Sequence, residues 1–348
     1  MNNAWKIVLV VLAMSLPGRA ACEDGNDPAE YRLSEPAIHA NLAIYFVHGE
    51  SRSGPVPLTL QEALSSSSIS VRETGRVNQL EIENTGDEDI FIQAGDIVKG
   101  GQQDRVLSVS LLLPPHSKSI PVDVFCVESG RWTARVGEDS RAFASANASL
   151  PSRVAKLEMA GAVAPRPDGA VSAIGSHQQQ IWQSVAQLQG RLSNNLGASV
   201  AAPKSRTSLQ LTLENDRLVS QQSEYVSALQ PKGEQADDIV GYVFAVNGKV
   251  NSADVYPSNG LFRKMWPKLL RAATTEAISE HTGESQPPPS RDAVNEFMTA
   301  ARQAAVVEAE SKQRTRIEVR ENSGAVSLES RPADATANSW IHRSYIAK

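Results

Sequence analysis

Short apolar segments separated by Gly, Pro, Asn and Asp dominate the chain from residue 43 to residue 132. Segments of this length, bounded by turn-forming residues, are typical of β-strands. The pattern predicts strands over residues 43–47, 80–83, 90–92, 106–113 and 120–126. In the fourth of these, Val and Leu alternate with Ser, so we expect that strand to bury one face. The N-terminal half is therefore predicted to be rich in β-structure.

Helical spacing of apolar residues begins later in the chain. Residues 134–176 are rich in Ala, Ser, Pro and Gly and contain three prolines, so they are predicted to form an irregular excursion. Apolar stripes then predict helices over residues 178–196, 216–229 and 262–277. Ser290, a good N-cap residue, is predicted to start a further helix that runs to about residue 314.

A hairpin turn is the clearest local feature of the C-terminal half. Asn247 and Gly248 supply the two positive φ angles of a tight turn between strands at 241–246 and 249–256. Further strands are predicted at 316–320, 325–330 and 340–346. The predicted fold class is α+β, with a β-rich N-terminal half and with helices and a further hairpin packed in the C-terminal half. Residues 41–348 are expected to form a single domain without internal repeats.

The first 21 residues have the layout of a signal peptide. Lys6 precedes an apolar run over residues 7–16, and the small residues Gly18 and Ala20 suit cleavage after Ala20. Residues 22–40 are expected to form a flexible N-terminus, in which Cys22 could instead carry a lipid tether. No later apolar run is long enough to predict a transmembrane helix. We therefore expect an exported protein, periplasmic or secreted.

Charge and residue counts narrow the classes of function. The net charge of -5 at pH 7 argues against binding to nucleic acid. Only Cys22 and Cys126 are present, which excludes a framework of disulfides. The six histidines are scattered without metal-binding spacing, so neither a metal site nor a cofactor is predicted. The partner is expected to be a small molecule or another protein.

The densest polar stretch lies between two of the predicted strands. It contains Asp96, Lys99, Gln103, Asp104 and Arg105, together with glycines that let a main chain approach a ligand. Lys99 and Arg105 could hold an anion, while Asp96 or Asp104 could orient them or move a proton. The spacing matches no phosphate-binding loop. The alternative is a solvated turn with ordinary ion pairs.

A second cluster combines a thiol, a carboxylate and a guanidinium. Alternation along a strand places Cys126 and Glu128 on one face, and Arg131 and Trp132 follow. Arg131 could lower the pKa of a nucleophilic thiol, but no His is adjacent in sequence to act as its base. The alternatives are a buried structural Cys126, an internal ion pair between Glu128 and Arg131, and a core position for Trp132.

Glu73 and His342 complete the set of candidate acids and bases. If the fold brings them to Asp96, they could share acid and base roles. Each could equally be structural or exposed.

The order of these motifs resembles one bacterial family across nearly the whole chain after the leader. The two blocks that carry the resemblance are Gly-Gly-Gln-Gln-Asp-Arg at 100–105 and Cys-Val-Glu-Ser-Gly-Arg-Trp at 126–132. The family is named for its association with ADP-ribosylglycohydrolases and rhodanese-phosphatase superfamily proteins, and it has no established activity. The name implies a link to ADP-ribose or phosphoester chemistry, but it transfers no catalytic residue.

Three hypotheses of function follow. The first is an exported ligand-binding or accessory domain without demonstrated catalysis. The second is a hydrolase of an ADP-ribose-like or other phosphoester ligand, with Lys99, Arg105 and Arg131 holding anionic oxygens. The third is a structural protein of the cell envelope. The first two require the two polar blocks to converge on one concave site, whereas the third requires them to be buried and paired with each other.

Overall fold

The computed structural model describes residues 31–135, 142–163, 174–284, 286–312, 314–333 and 339–348. The predicted signal peptide and the predicted lipid tether at Cys22 lie outside these residues. Tyr31–Lys348 forms one compact unit. Helices and strands are both abundant in it, which confirms the predicted α+β class.

The regular elements come in runs of strands and runs of helices along the chain. The strands are β1 Arg32–Leu33, β2 Ala37–His39, β3 Leu42–His48, β4 Leu58–Thr59, β5 Ile69–Glu73, β6 Gln79–Asn84, β7 Ile90–Ile92, β8 Ile97–Gly100, β9 Arg105–Leu107, β10 Leu111–Leu113, β11 Ile120–Cys126, β12 Phe143–Ser145, β13 Ile239–Val246, β14 Lys249–Val255, β15 Val306–Lys312, β16 Thr315–Glu321, β17 Ala325–Pro332 and β18 His342–Ala347. The helices are α1 Leu60–Ser65, α2 Arg153–Val163, α3 Ile174–Asn195, α4 Leu209–Leu213, α5 Asp216–Leu229, α6 Asn259–Ser279 and α7 Arg291–Gln303, with a 3-10 turn at Gln230–Glu234.

The large sheet has nine strands, eight of them in the order β1-β3-β13-β14-β18-β17-β16-β15, and β2 adds to β3. All of its pairings are antiparallel. Asn247 and Gly248 have φ angles of 49° and 74°, so the predicted hairpin of β13 and β14 is confirmed. Strand β18 lies between β14 and β17, and it thereby joins two antiparallel groups of strands that are distant in sequence.

Helices cover both faces of the large sheet. Along β13, Tyr242 and Phe244 face the core that contains α6, whereas Val243 faces the core that contains α7. Because both faces are covered, every residue of β13 is buried. Trp266 of α6 packs edge-on against Tyr242, with ring centroids 5.5 Å apart.

The N-terminal half forms two smaller sheets. One has six strands in the order β12-β8-β9-β11-β6-β5, and the other has three in the order β10-β7-β4. The chain passes from one sheet to the other between β9 and β10, at residues 108–110. The single strand predicted at 106–113 is therefore wrong, because its alternating serines mark the crossing between two sheets.

The structure differs from the sequence prediction at three other places. Within the predicted flexible N-terminus, β1 and β2 pair with β3. The predicted irregular excursion contains β12 and helix α2, whose buried side chains are Ala155, Met159, Ala160 and Val163. Their helical spacing is hard to see because two of them are alanines. Helix α7 ends at Gln303, well before residue 314, because β15 pairs with β16 instead.

Candidate functional site

Two buried carboxylates meet two guanidinium groups where β8 and β11 end and β9 begins. Arg135 Nη1 donates to Asp104 Oδ2 over 3.0 Å, and Arg135 Nη2 donates to Asp104 Oδ1 over 2.5 Å. Arg131 Nη2 lies 2.7 Å from Glu128 Oε2. Asp104 and Glu128 are fully buried. We call Asp104, Glu128, Arg131 and Arg135 the carboxylate–guanidinium cluster.

Neutral donors complete this cluster. Ser208 Oγ donates to Asp104 Oδ2 over 2.8 Å, and the Gly100 amide donates to Asp104 Oδ1 over 3.1 Å. The Ser205 hydroxyl donates to Glu128 Oε1. All four carboxylate oxygens are thus engaged by the protein itself. Such saturation is typical of a buried structural network.

The pKa values of the two carboxylates are shifted in opposite directions. For Asp104, burial is the largest influence and raises the pKa, against the charge of Arg135 and the hydrogen bonds from Ser208 and Gly100. For Glu128, burial also favours the neutral form, but Arg131 and Ser205 outweigh it, and the pKa lies below its usual value.

Arg105 lies in a separate buried environment. Its side chain is 1% exposed, and its Nε donates to the Val77 carbonyl over 3.1 Å. Its Nη1 donates to Gln103 Oε1 over 3.3 Å, and its Nη2 lies 3.8 Å from Glu73 Oε2. Glu73 Oε1 also accepts the Gln102 amide over 3.0 Å. The guanidinium is thus surrounded by acceptors from the protein.

Cys126 is buried beside this arginine and has no disulfide partner among the described residues. Burial raises the pKa of its thiol to about 11, although the charge of Arg105 acts in the opposite direction. A thiol with so high a pKa is protonated at neutral pH and is a poor nucleophile. The buried structural role is the one that this environment favours.

Three other predicted residues lie apart from both environments. Lys99 Nζ forms an ion pair with Glu214 Oε1 over 2.8 Å. The Trp132 ring is not in the core, because the residue is 49% exposed. Asp96 Oδ1 accepts from Lys268 Nζ over 2.7 Å, and both residues are buried. Asp96 and Lys268 therefore form a buried ion pair.

His342 is the predicted residue that meets an unexpected set of partners. Its Nδ1 lies 3.0 Å from Ser110 Oγ, and its Nε2 lies 3.2 Å from Asp254 Oδ1. The Nε2 contact is close but lacks the alignment of a directed hydrogen bond. All three side chains are buried.

Strand register explains how Asp254 and His342 come together. Asp254 of β14 is paired with Tyr242 on one side and with Ser344 of β18 on the other. Because side chains alternate along a strand, His342 and Ser344 share a face. Asp254 and His342 are thus diagonal neighbours on that face of the large sheet. Ser110 reaches it from the crossing between β9 and β10.

Ser110, Asp254 and His342 line a cavity of about 50 Å³. The large sheet forms its floor, and the segments around Ala94 and Ser110, together with α2 and α6, form the rest of its wall. Its apolar lining includes Val109, Met159, Ala160, Leu269, Ile317 and Ile346. Ser149 also lines it, and its buried Oγ has no hydrogen-bond partner among the described residues. We call this space the central cavity.

The charges at the central cavity nearly cancel. Burial alone would raise the pKa of Asp254, but the His342 imidazole and the positive charge of Lys156 outweigh it, so the pKa lies below its usual value. Lys156 Nζ is itself 3.7 Å from the buried Glu276 carboxylate. Burial, and then the charge of Asp254, holds the pKa of Tyr242 well above its usual value, so this hydroxyl stays neutral.

Neither a metal centre nor a membrane span is found in the described ranges. They contain no group of three or more His, Cys, Asp or Glu side chains that could hold a metal ion. No helix in them is long and apolar enough to cross a bilayer.

The fold and the cavity define an α+β protein with a polar internal site walled by apolar residues. The chain belongs to the ARG and Rhodanese-Phosphatase-superfamily-associated Protein domain family, whose profile matches residues 30–346. This confirms the family resemblance seen in the two polar blocks. Comparison with curated proteins and with solved structures gave no match.

Sequence reasoning identified His342 but missed the residues around it. The alternation over 106–113 predicts Ser110 to lie on the polar face of a strand, and Lys156 lies in the stretch that is predicted to be irregular. Asp254 offered one signal, because it is an acidic residue near the end of a strand that follows a strong hairpin turn. In the carboxylate–guanidinium cluster, Arg135 was missed because no pattern links it to Asp104.

Proposed function

We propose that this protein binds a small, uncharged molecule in the central cavity. The observation that carries the proposal is the convergence of Ser110, Asp254 and His342 on one cavity with mostly apolar walls. A few convergent polar groups in an apolar pocket are typical of small-molecule sites. The unpartnered Ser149 hydroxyl supports the proposal, because a buried hydroxyl costs free energy unless a ligand or water hydrogen-bonds to it.

The charge balance favours an uncharged ligand. Lys156 is the one lysine among the described residues that lines the central cavity, and it lies near Asp254 and Glu276. A phosphate group would therefore meet at least as much negative as positive charge. The arginines of the polar blocks are already paired with carboxylates, so they offer little to a phosphoester ligand.

The size of the cavity limits the ligand. Since one water needs roughly 10–15 Å³ by this measure, a cavity of about 50 Å³ accommodates a few heavy atoms. We propose that the cavity receives one short group of the ligand.

The carboxylate–guanidinium cluster has a different proposed role. Its carboxylate oxygens are all engaged, so we assign it to holding the β8–β9 loop against α4 and the segment after β11. A role in stabilising the fold accounts for the pairing of these four residues.

A thermal-shift experiment tests the binding proposal. The chain is melted with acetamide, propionamide or N-methylacetamide, and separately with acetate, inorganic phosphate or ADP-ribose. We expect the neutral amides to raise the melting temperature, because a ligand of the native state stabilises it. A shift with the anions alone, or with none of the compounds, would contradict the proposal.

Two serine variants locate the effect. Ser149→Ala removes the unpartnered hydroxyl, so we expect it to melt no lower than the wild type without ligand and to respond less to the amides. Ser117→Ala is the matched control, because Ser117 is also buried but accepts the Asn84 amide over 3.3 Å. The control is expected to be less stable and to keep the full ligand response.

We also propose that the protein is exported to the periplasm or secreted. The proposal is supported by Lys6, the apolar run at 7–16 and the small residues before Cys22. N-terminal sequencing of the protein recovered from cell fractions tests it, with cleavage expected after Ala20. An intact leader on a cytoplasmic protein would contradict export, and incorporation of labelled fatty acid that is lost in Cys22→Ser would indicate the lipid tether instead.

A further inference from the structure

We propose that the central cavity is the active site of a serine-dependent acyl transfer, with Ser110 as the nucleophile and His342 as its general base. The inference rests on the proposed binding of a neutral ligand in this cavity. Its substrate class is esters of short carboxylic acids.

The hydrogen bonds at Ser110 run in the direction that a nucleophilic serine requires. Since a carboxylate only accepts, the ring proton of His342 is assigned to Nε2, which faces Asp254. Nδ1 is then an acceptor that faces Ser110 Oγ over 3.0 Å. The Ala94 amide donates to the same Oγ over 2.9 Å, which leaves the hydroxyl hydrogen to point at Nδ1. This is the arrangement that proton transfer from serine to histidine requires.

Asp254 lies beside Nε2 of His342, the ring nitrogen that does not face Ser110. A buried carboxylate beside the far nitrogen of the ring fixes its tautomer and stabilises the imidazolium that forms when Nδ1 takes a proton. The charge of Lys156 and the His342 imidazole keep Asp254 ionised in spite of its burial. The loose alignment at Nε2 does not argue against this role, because such contacts tighten when the substrate binds.

Contact with the central cavity distinguishes a reactive Ser–His–Asp set from one that only stabilises the fold. A structural Ser–His–Asp network would be sealed by its neighbours, whereas Ser110, Asp254 and His342 all border the central cavity. The same wall presents Ser149, whose hydroxyl is not used by any described residue. We assign this hydroxyl to the oxyanion that develops on the substrate carbonyl.

The cavity also defines the substrate class. Its near-neutral charge favours an uncharged ester over a phosphoester, and its apolar wall suits an alkyl group. A volume of about 50 Å³ suits the acyl part of an acetate or propionate ester.

The reaction has two balanced steps. Ser110 Oγ attacks the ester carbonyl carbon, its proton passes to His342 Nδ1, and the carbon–oxygen bond to the alcohol breaks as the alcohol takes up that proton. Water then attacks the acyl-serine, gives a proton to Nδ1, and the Oγ–carbon bond breaks as Oγ recovers the proton. The products are the alcohol and the short carboxylic acid, and no oxidant or reductant is needed.

Covalent labelling tests the nucleophile directly. The full chain is treated with methanesulfonyl fluoride, whose small size suits the cavity; Oγ would form a bond to sulfur and fluoride would leave. Peptide mass spectrometry is expected to find one methanesulfonyl group on Ser110 in the wild type and in Ser117→Ala. The label is expected to be absent from Ser110→Ala and strongly reduced in His342→Gln, with both variants checked for folding by circular dichroism.

Turnover of 4-nitrophenyl acetate gives a second readout. We expect kcat/KM to fall by at least about 100-fold in Ser110→Ala and in His342→Gln. Ser149→Ala is expected to lower kcat more than it raises KM, because the oxyanion forms only after binding. 4-Nitrophenyl octanoate is expected to react far more slowly than the acetate.

The outcomes distinguish this inference from the binding proposal. If folded wild type shows the amide thermal shift but no label on Ser110, the nucleophile is refuted and the binding site stands. If labelling or turnover is unchanged in folded Ser110→Ala, the acyl-transfer assignment is equally refuted. If the amides give no shift while Ser110 is labelled, binding of small amides is refuted and the nucleophile stands.

Discussion

The guanidinium of Arg135 holds both oxygens of the Asp104 carboxylate, over 3.0 and 2.5 Å, at a site where neither side chain is more than 2% exposed. The two residues are 31 positions apart, and the hydrogen bonds fasten the segment after β11 to the loop after β8. A buried pair of this kind costs much free energy when one partner is removed, because the other charge is left uncompensated.

Removing Asp104 is therefore expected to destabilise the protein strongly. We expect Asp104→Ala to lower the free energy of unfolding by about 3–5 kcal/mol, measured by urea denaturation. Lys99→Ala is the control, since its ion pair with Glu214 is partly exposed and is expected to contribute less than about 1 kcal/mol. Equal small losses in both variants would contradict a structural role for the cluster.

Cys126 is expected to resist alkylation while the protein is folded. With a thiol pKa of about 11, its thiolate fraction at pH 8 is roughly a hundredth or less of that of a free cysteine. Iodoacetamide followed by peptide mass spectrometry should leave Cys126 unmodified in native protein and alkylate it in urea. Rapid alkylation of the native Cys126 peptide would show that the thiol is accessible and activated.

Gly100 is expected to tolerate no side chain. Its φ is +128°, and a Cβ there would lie 2.4 Å from the Ala142 carbonyl oxygen. We expect Gly100→Ala to cost about 2–4 kcal/mol, because backbone strain and a backbone clash act together.

Gly130 provides the matched control for that substitution. Its φ is +81°, but a Cβ there would have nothing within 4 Å. We expect Gly130→Ala to cost only the conformational penalty of about 1–2 kcal/mol. If the two variants unfold at the same urea concentration, the tight contact between β8 and β12 does not contribute to stability.

Asp254 is expected to make stability fall in acid. Because the folded-state pKa of Asp254 lies below its usual value, its contribution to stability is complete above the unfolded-state pKa and is lost as the pH falls through the folded-state value. The groups that face it are His342, Lys156, Tyr242 and Ser344.

The measurement is the difference in unfolding free energy between wild type and Asp254→Asn at pH 5 and at pH 3. We expect the substitution to be more costly at pH 5, because the stabilisation by the ionised Asp254 carboxylate is complete there and begins to be lost as the pH falls below the unfolded-state pKa. Contributions from other carboxylates, such as Glu128, are present in both proteins and largely cancel. A larger cost at pH 3 would contradict the lowered pKa.

Local elements could be predicted from the sequence where local chemistry determines them. The Asn247–Gly248 hairpin and helix α5 appear where they were predicted, because turn residues and apolar spacing specify them without long-range help. The break between β9 and β10 within 106–113 could not be predicted, because alternating residues suit one continuous strand as well as two strands that lie in different sheets. Helix α2 was hidden by its alanines, which carry little of the contrast on which a periodic pattern depends.

The candidate site was predicted only one residue at a time. His342 was found as an ionisable residue, but its contact with Ser110 spans 232 positions and depends on the placement of β18 beside β14. No periodicity encodes which distant strands become neighbours. The polar blocks were found because their residues are adjacent in sequence, yet adjacency could not show that Asp104 and Arg105 face different partners.

The position of β18 has a consequence for the order of events during synthesis. Until residues 342–347 have been synthesised, β18 cannot pair with β14 and β17, so the strands on either side of it cannot be joined into one sheet. Asp254 then lies on an unfinished edge and His342 does not yet exist. The Ser110–His342–Asp254 set is thus expected to form only once β18 has been made and has docked between β14 and β17, in a step that closes long-range contacts.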